Sequence, residues 1–155
     1  MYYAVIILLM LVLPAGSIAV EHFVLHSPLS WVALIGRWFV IWGVGARLLL
    51  AGVRQVLKPG FTAETIFDLS DKAAQHIVQE LGFGNIALGV MGVMCLWFPV
   101  WTPAAAVSGG IFFAMAGVKH VLHAPRTPQQ NAAMVSDLFI ALVMAGYLAA
   151  TVGGL

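Results

Sequence analysis

Charged residues make up only 8% of this 155-residue chain, and hydrophobic residues make up 62%. A soluble domain carries about a quarter of its residues charged, so this composition excludes a wetted globular surface and indicates a protein solvated by lipid. The formal net charge of +1 argues against nucleic acid as a partner, which would need a basic patch. The single cysteine, Cys95, excludes an internal disulfide and is predicted to be a small buried hydrophobe.

Several stretches reach the roughly 20 apolar residues that a bilayer-spanning helix needs. Three of them are separate, at about 2–20, 31–56 and 132–152. The first lacks the positive n-region of a signal peptide and is predicted to be a retained transmembrane helix. The uncharged stretch between Glu80 and Lys119 is too long for one span, and Pro99 and Pro103 divide it into two. The sequence therefore predicts one domain over 1–155, an all-α integral membrane helical bundle of about five transmembrane helices.

The polar connection 57–74 alternates apolar and polar residues, including Phe67 and Asp68, and predicts a short amphipathic helix at the membrane interface. Five spans place this connection, the N-terminus and the 122–131 loop on one side. That side carries most of the basic residues, namely Arg54, Lys58, Lys72, Lys119 and Arg126. The positive-inside rule therefore predicts a bacterial cytoplasmic membrane protein whose N-terminus is inside.

Charged residues within the predicted spans each cost at least ~2.5 kcal/mol on insertion scales, so each needs a partner or a purpose. The predicted buried polar cluster, toward the cytoplasmic side, consists of Arg47, Glu80, Asn85, Lys119, His120 and Asp137. We expect the ion pairs Arg47–Glu80 and Lys119–Asp137. The cluster is either structural, holding helices together, or a pocket for a ligand or a proton.

Stripes of small residues at helical spacing support the prediction that these helices meet, because small residues let helices approach closely. The third span has such a stripe at Gly82, Asn85, Gly89 and Gly92.

Histidine and carboxylate spacings raise the alternative of a metal site. His76 and Glu80 are four residues apart, and His120 and His123 are three apart, so each pair shares a helix face. With Asp137 they would resemble the ligands of carboxylate-bridged metal bundles, but the full Glu-x-x-His repeat is missing. The sequence therefore favours no metal site, and its cofactors stay open.

The run 47–52 (RLLLAG), followed by 80–85 (ELGFGN) and a glycine-rich third span, resembles the DoxX-like small membrane proteins. The resemblance extends from Trp31 to the C-terminus. It implies a four-helix membrane bundle to which the first span is added. It also implies a link to quinone-coupled redox chemistry or to accessory roles.

The favoured function is that of a non-enzymatic accessory or assembly protein among membrane lipids, alone, as a homo-oligomer or with a partner membrane protein. The first alternative is a redox partner that binds a quinone or another small ligand, with Arg47 and Lys119 holding polar head atoms and Glu80 or Asp137 relaying protons. The second is a transporter of protons or small solutes, which at this length would need an oligomer to enclose a path.

The topology is directly testable. A phosphatase fused after Leu155 should be active, and a fluorescent protein that folds only in the cytoplasm should stay dark there, because an odd number of spans places the C-terminus outside. The opposite pattern of the two fusions would contradict either the number of spans or the orientation.

Overall fold

The computed structural model describes residues 2–66, 69 and 71–153, and within them it contains five helices long and apolar enough to cross a membrane. In chain order the helices are α1 (Tyr3–Val24), α2 (Trp31–Leu57), the short α3 (Pro59–Thr65), α4 (Lys72–Met94), α5 (Pro99–Leu122) and α6 (Pro128–Val152). The described part of the chain contains helices and connections but no strand. The predicted all-α architecture with five membrane-length helices is therefore confirmed.

Side-chain caps fix where three of the long helices begin. The hydroxyl of Ser30 accepts a hydrogen bond from the backbone N–H of Ala33 at the start of α2. At the start of α4, the carboxylate of Asp71 accepts one from the backbone N–H of Ala73. At α6, Thr127 and Gln130 exchange side-chain and backbone hydrogen bonds in a capping box. Each cap satisfies a backbone donor that the first turn leaves without a partner.

Helices α1 and α2 each contain wide turns of π type. In α1 these turns are Leu8–Val12 and Val20–Val24, and in α2 the turn is Val40–Ala46. The first one ends two residues before Pro14, whose ring crowds the preceding turn and whose nitrogen cannot donate, so a wider turn relieves the clash. Such turns often occur at functional sites, and here they lie next to the polar side chains described below.

Helix α2 is the centre of the bundle. In its most apolar stretch 44% of residues are buried, against 22–28% in the other four long helices. It runs antiparallel to α1, α4 and α6, because later residues of α2 contact earlier residues of each of these helices. Against α6, for example, Gly36 contacts Tyr147, and Gly43 contacts Ile140. Helix α5 contacts it through Gly109, which lies against Val44.

The contact between α2 and α4 is backbone to backbone. A Cβ atom added to Gly92 would lie 2.6 Å from the Cα of Gly45, and one added to Gly89 would overlap the backbone of Leu49. A Cβ atom added to Gly82 would lie 3.0 Å from the carbonyl oxygen of Gly52. The predicted small-residue stripe on α4 is therefore confirmed as the face that packs on α2. Close approach of this kind gives van der Waals contact, which is the main attraction between helices in lipid.

The connection between α2 and α4 is tied down at two points. The guanidinium of Arg54 stacks over the ring of Phe61 in α3, 3.5 Å from its centroid, and the side-chain amide of Gln130 donates to the carbonyl of Ile66 at 2.9 Å. The predicted helix of this connection is found over Pro59–Thr65. Its expected members Phe67 and Asp68 lie outside the described residues.

The glycine stripe can be tested with a matched control. Gly89→Leu should lower the unfolding free energy in detergent by about 1–3 kcal/mol, because the new side chain must push the α2 backbone away. Gly84→Leu, on the exposed face of the same helix, has open space beside it and should change stability little. Equal losses of stability in the two variants would contradict this packing.

Candidate functional site

An ion pair between Arg47 of α2 and Asp137 of α6 lies near the middle of the bundle. One terminal nitrogen, Nη2, donates to Asp137 Oδ1 at 2.5 Å and to Ser136 Oγ at 2.8 Å. The other, Nη1, lies 3.7 Å from the sulfur of Met10 in α1, and the guanidinium stacks 4.5 Å from the ring centroid of Phe113 in α5. We call these five residues the midspan cluster. One cation thus contacts three other helices.

The midspan cluster is enclosed. The side chain of Arg47 is 15% exposed and that of Asp137 is 8% exposed. A lone charge at this depth would be costly, whereas here the charges neutralise each other, and Ser136 and an aromatic face add further favourable contacts. Ser136 in turn donates to the carbonyl of Ala133.

The predicted ion pair between Arg47 and Glu80 is wrong, because Arg47 pairs with Asp137 instead. The pairing of Lys119 with Asp137 stays a prediction. Glu80 lies on the exposed face of α4, and Lys119 is exposed near the end of α5, so neither belongs to a buried cluster. His120 is half-buried at the same end of α5.

Asn85 is buried as predicted, but in a separate contact. Its amide donates to Oε1 of Gln55 in α2 at 2.7 Å, and both residues are at least nine-tenths buried. This neutral pair adds a polar contact to the glycine interface between α2 and α4. The sequence reasoning did not single out Gln55.

The sequence reasoning also missed a second ion pair, which lies near the start of α2. Glu21, near the end of α1, is only 8% exposed. Its Oε1 accepts from Arg37 Nη1 at 3.0 Å and from Ser27 Oγ at 3.3 Å, and its Oε2 accepts from the indole of Trp38 at 2.6 Å. We call these four residues the Glu21 cluster.

The connection between α1 and α2 builds the Glu21 cluster. His26 has a φ of 51°, in the left-handed region, and turns the chain so that the backbone N–H of Ser27 donates to the carbonyl of Glu21. One turn earlier in α1, the hydroxyl of Ser17 accepts from the indole of Trp42 at 3.0 Å. Three polar contacts between residues 17–27 and α2 therefore hold α1 to the bundle.

The residues considered for a metal do not come together. His76, Glu80 and His123 are exposed, whereas Asp137 is bound to Arg47. Among the residues that the structure describes, no group of three histidine, cysteine or carboxylate side chains has a geometry that could hold a metal ion. Cys95 is fully buried between α4 and α5, where burial raises the pKa of its thiol. This placement agrees with the predicted role of a small hydrophobe.

Two cavities lie away from the midspan cluster. One, of about 400 Å³, is a groove along the second half of α1, with Glu21 and Trp38 among its walls. The other, of about 260 Å³, lies beside the connection between α5 and α6, with Glu64, Arg126 and Gln130 among its walls. Neither is lined by Arg47 or Asp137.

The five apolar helices with paired polar residues between them define a small helical protein of the membrane-spanning type. The chain belongs to the family described as "Family of unknown function (DUF6790)", which it matches over residues 1–152. The match includes α1, so the first helix is part of the family's sequence pattern. No curated protein and no solved structure matches the chain. These comparisons give no support to a relationship with DoxX-like proteins.

The ion pair can be tested with a double-mutant cycle. Asp137→Asn should lower the unfolding free energy by about 3–5 kcal/mol, because it leaves Arg47 buried without a counter-charge. Adding Arg47→Met should recover part of that loss, which the cycle measures as a coupling energy. Glu80→Gln is the matched control and should change stability by no more than about 0.5 kcal/mol, as for other surface sites. Additive effects of the two cluster substitutions would contradict the pair.

Proposed function

We propose that this chain is a non-enzymatic accessory or assembly protein of the bacterial cytoplasmic membrane, and that its midspan cluster has a structural role. In this proposal the N-terminus is cytoplasmic, and the outer faces of the bundle contact lipid and partner membrane proteins. The DoxX-like resemblance, whose accessory members suggest the same kind of role, stays a prediction within this proposal.

The single observation that carries the proposal is that the two charges of the midspan cluster neutralise each other inside the bundle. Arg47 contacts α1, α5 and α6 at once, and the carboxylate it holds is almost entirely enclosed. A group that binds a quinone head or relays a proton needs space for the ligand or a path for water beside it. Both cavities described above lie elsewhere.

The alternatives depend on residues that the structure separates. In the redox alternative, Arg47 and Lys119 hold the polar head atoms of the ligand and Glu80 or Asp137 relays protons. Glu80 and Lys119 are exposed on different helices, whereas Arg47 and Asp137 neutralise each other in the interior. This separation favours the structural role over the redox alternative.

A complementation experiment distinguishes a structural cluster from a functional one. In a strain lacking the chain, the double variant Arg47→Met/Asp137→Asn should restore the wild-type phenotype, since no isolated buried charge remains in it. Asp137→Asn alone should fail because the protein does not accumulate, as measured by immunoblot of membranes. A double variant that accumulates normally but does not complement would contradict the proposal. So would a stoichiometric quinone, haem or metal in the purified protein, detected by absorbance and elemental analysis.

A further inference from the structure

The groove along α1 has the size and lining of a site for a small amphiphilic molecule. Its walls are apolar side chains of α1 and the following loop, among them Val12, Val20 and Leu25, and Trp38 of α2 closes one side. These three aliphatic residues are at least half exposed, so the groove opens to the outside of the bundle. Its volume of about 400 Å³ falls within the range of small-molecule sites, about 300–1,000 Å³.

Gly16 keeps the groove open. It lies among the lining residues, and a Cβ atom added there would meet no atom within 4 Å. The space above this glycine is therefore unfilled by the protein itself. A large side chain at this position would occupy the groove without disturbing the helix contacts, which makes Gly16 the position of choice for a blocking substitution.

Two polar side chains, Ser17 and Glu21, line the groove one helical turn apart. Ser17 accepts a hydrogen bond from Trp42, and a hydroxyl that accepts one bond still has a proton to donate. Oε2 of Glu21 accepts from Trp38, and a carboxylate oxygen has a second lone pair. The groove thus offers a donor and an acceptor side by side. A ligand hydroxyl, which both accepts and donates, matches this pair.

The length of the groove indicates where its occupant sits. The lining runs from Val12, near the middle of α1, to Leu25, directly after the helix ends, so it covers about one half of a helix long enough to span the roughly 30 Å of hydrocarbon. Glu21 lies three residues from the end of α1 and so is near the membrane surface, whereas Val12 reaches the middle. A transmembrane helix of a second copy would extend past the groove into the other leaflet. An amphiphile of one leaflet fits the groove instead.

We propose that the groove between Val12, Gly16 and Glu21 of α1 and Trp38 of α2 binds a lipophilic alcohol or phenol from one leaflet. Its hydroxyl group accepts from Ser17 and donates to Glu21, and its apolar body lies over Gly16. The site is separate from the midspan cluster and does not depend on the structural role proposed for that cluster.

The test uses the full chain in phosphatidylcholine nanodiscs and 1-dodecanol with a diazirine on its chain as a photo-crosslinking probe. Mass spectrometry should locate the label on the peptide that contains residues 12–25. Unlabelled 1-dodecanol should compete about tenfold better than its methyl ether, which cannot donate to Glu21, because a lost hydrogen bond to a charged group has about that effect.

Two variants and a control complete the test. Gly16→Leu should lower labelling about tenfold by filling the groove, since the displaced contacts correspond to roughly that change in affinity. Ser17→Ala should weaken competition by the alcohol while leaving the groove open. Gly146→Leu, at a glycine in α6 with equally open surroundings, should not change labelling.

Three outcomes would overturn the proposal. Equal competition by the alcohol and the ether would mean ordinary lipid contact without recognition of the hydroxyl. Labelling spread evenly over the exposed faces of α5 and α6 would mean that no site exists. Protein–protein cross-links through the groove residues, in place of probe labelling, would mean that a second copy covers it.

Discussion

Lipid supplies no hydrophobic force that pushes helices together, so this bundle depends on contacts made by its central helix. Helix α2 meets its neighbours in two ways, through glycines that bring backbones within van der Waals distance and through polar side chains that find partners on other helices. Arg47 is the clearest case of the second kind. Because its guanidinium contacts α1, α5 and α6, the positions of those three helices around α2 are coupled to one another.

The number and approximate limits of the long helices could be predicted because length and hydropathy determine them. The partner of Arg47 could not. Distance along a helix gives the depth of a residue, and Glu80 and Asp137 both lie within ten residues of the same end of the bundle. Which of them faces Arg47 depends on how each helix is rotated about its axis. The glycine stripe of α4 indicates this rotation. The face that carries Gly82 and Gly89 packs on α2, so Glu80 lies on the outward face.

The Glu21 cluster was missed for a different reason. The predicted spans, 2–20 and 31–56, place Glu21 just after the first and Arg37 inside the second, and hydropathy alone does not pair them. A short connection between antiparallel helices brings together residues about equally far from it on either side. Arg37 with Glu21, Trp42 with Ser17 and Arg47 with Met10 all follow that rule. Applied to the sequence, it would have found all three contacts.

The two ion pairs differ in when their partners are synthesised. Glu21 precedes Arg37 by sixteen residues, so the first hairpin enters the membrane with its acid and base already able to neutralise each other. Asp137 follows Arg47 by ninety residues, a delay on the order of ten seconds at ~5–20 residues per second. Until α6 is made, Arg47 lacks the carboxylate that it contacts in the complete bundle. If α2 enters the membrane as it is synthesised, neutralisation of its central cation is a late step that waits for α6.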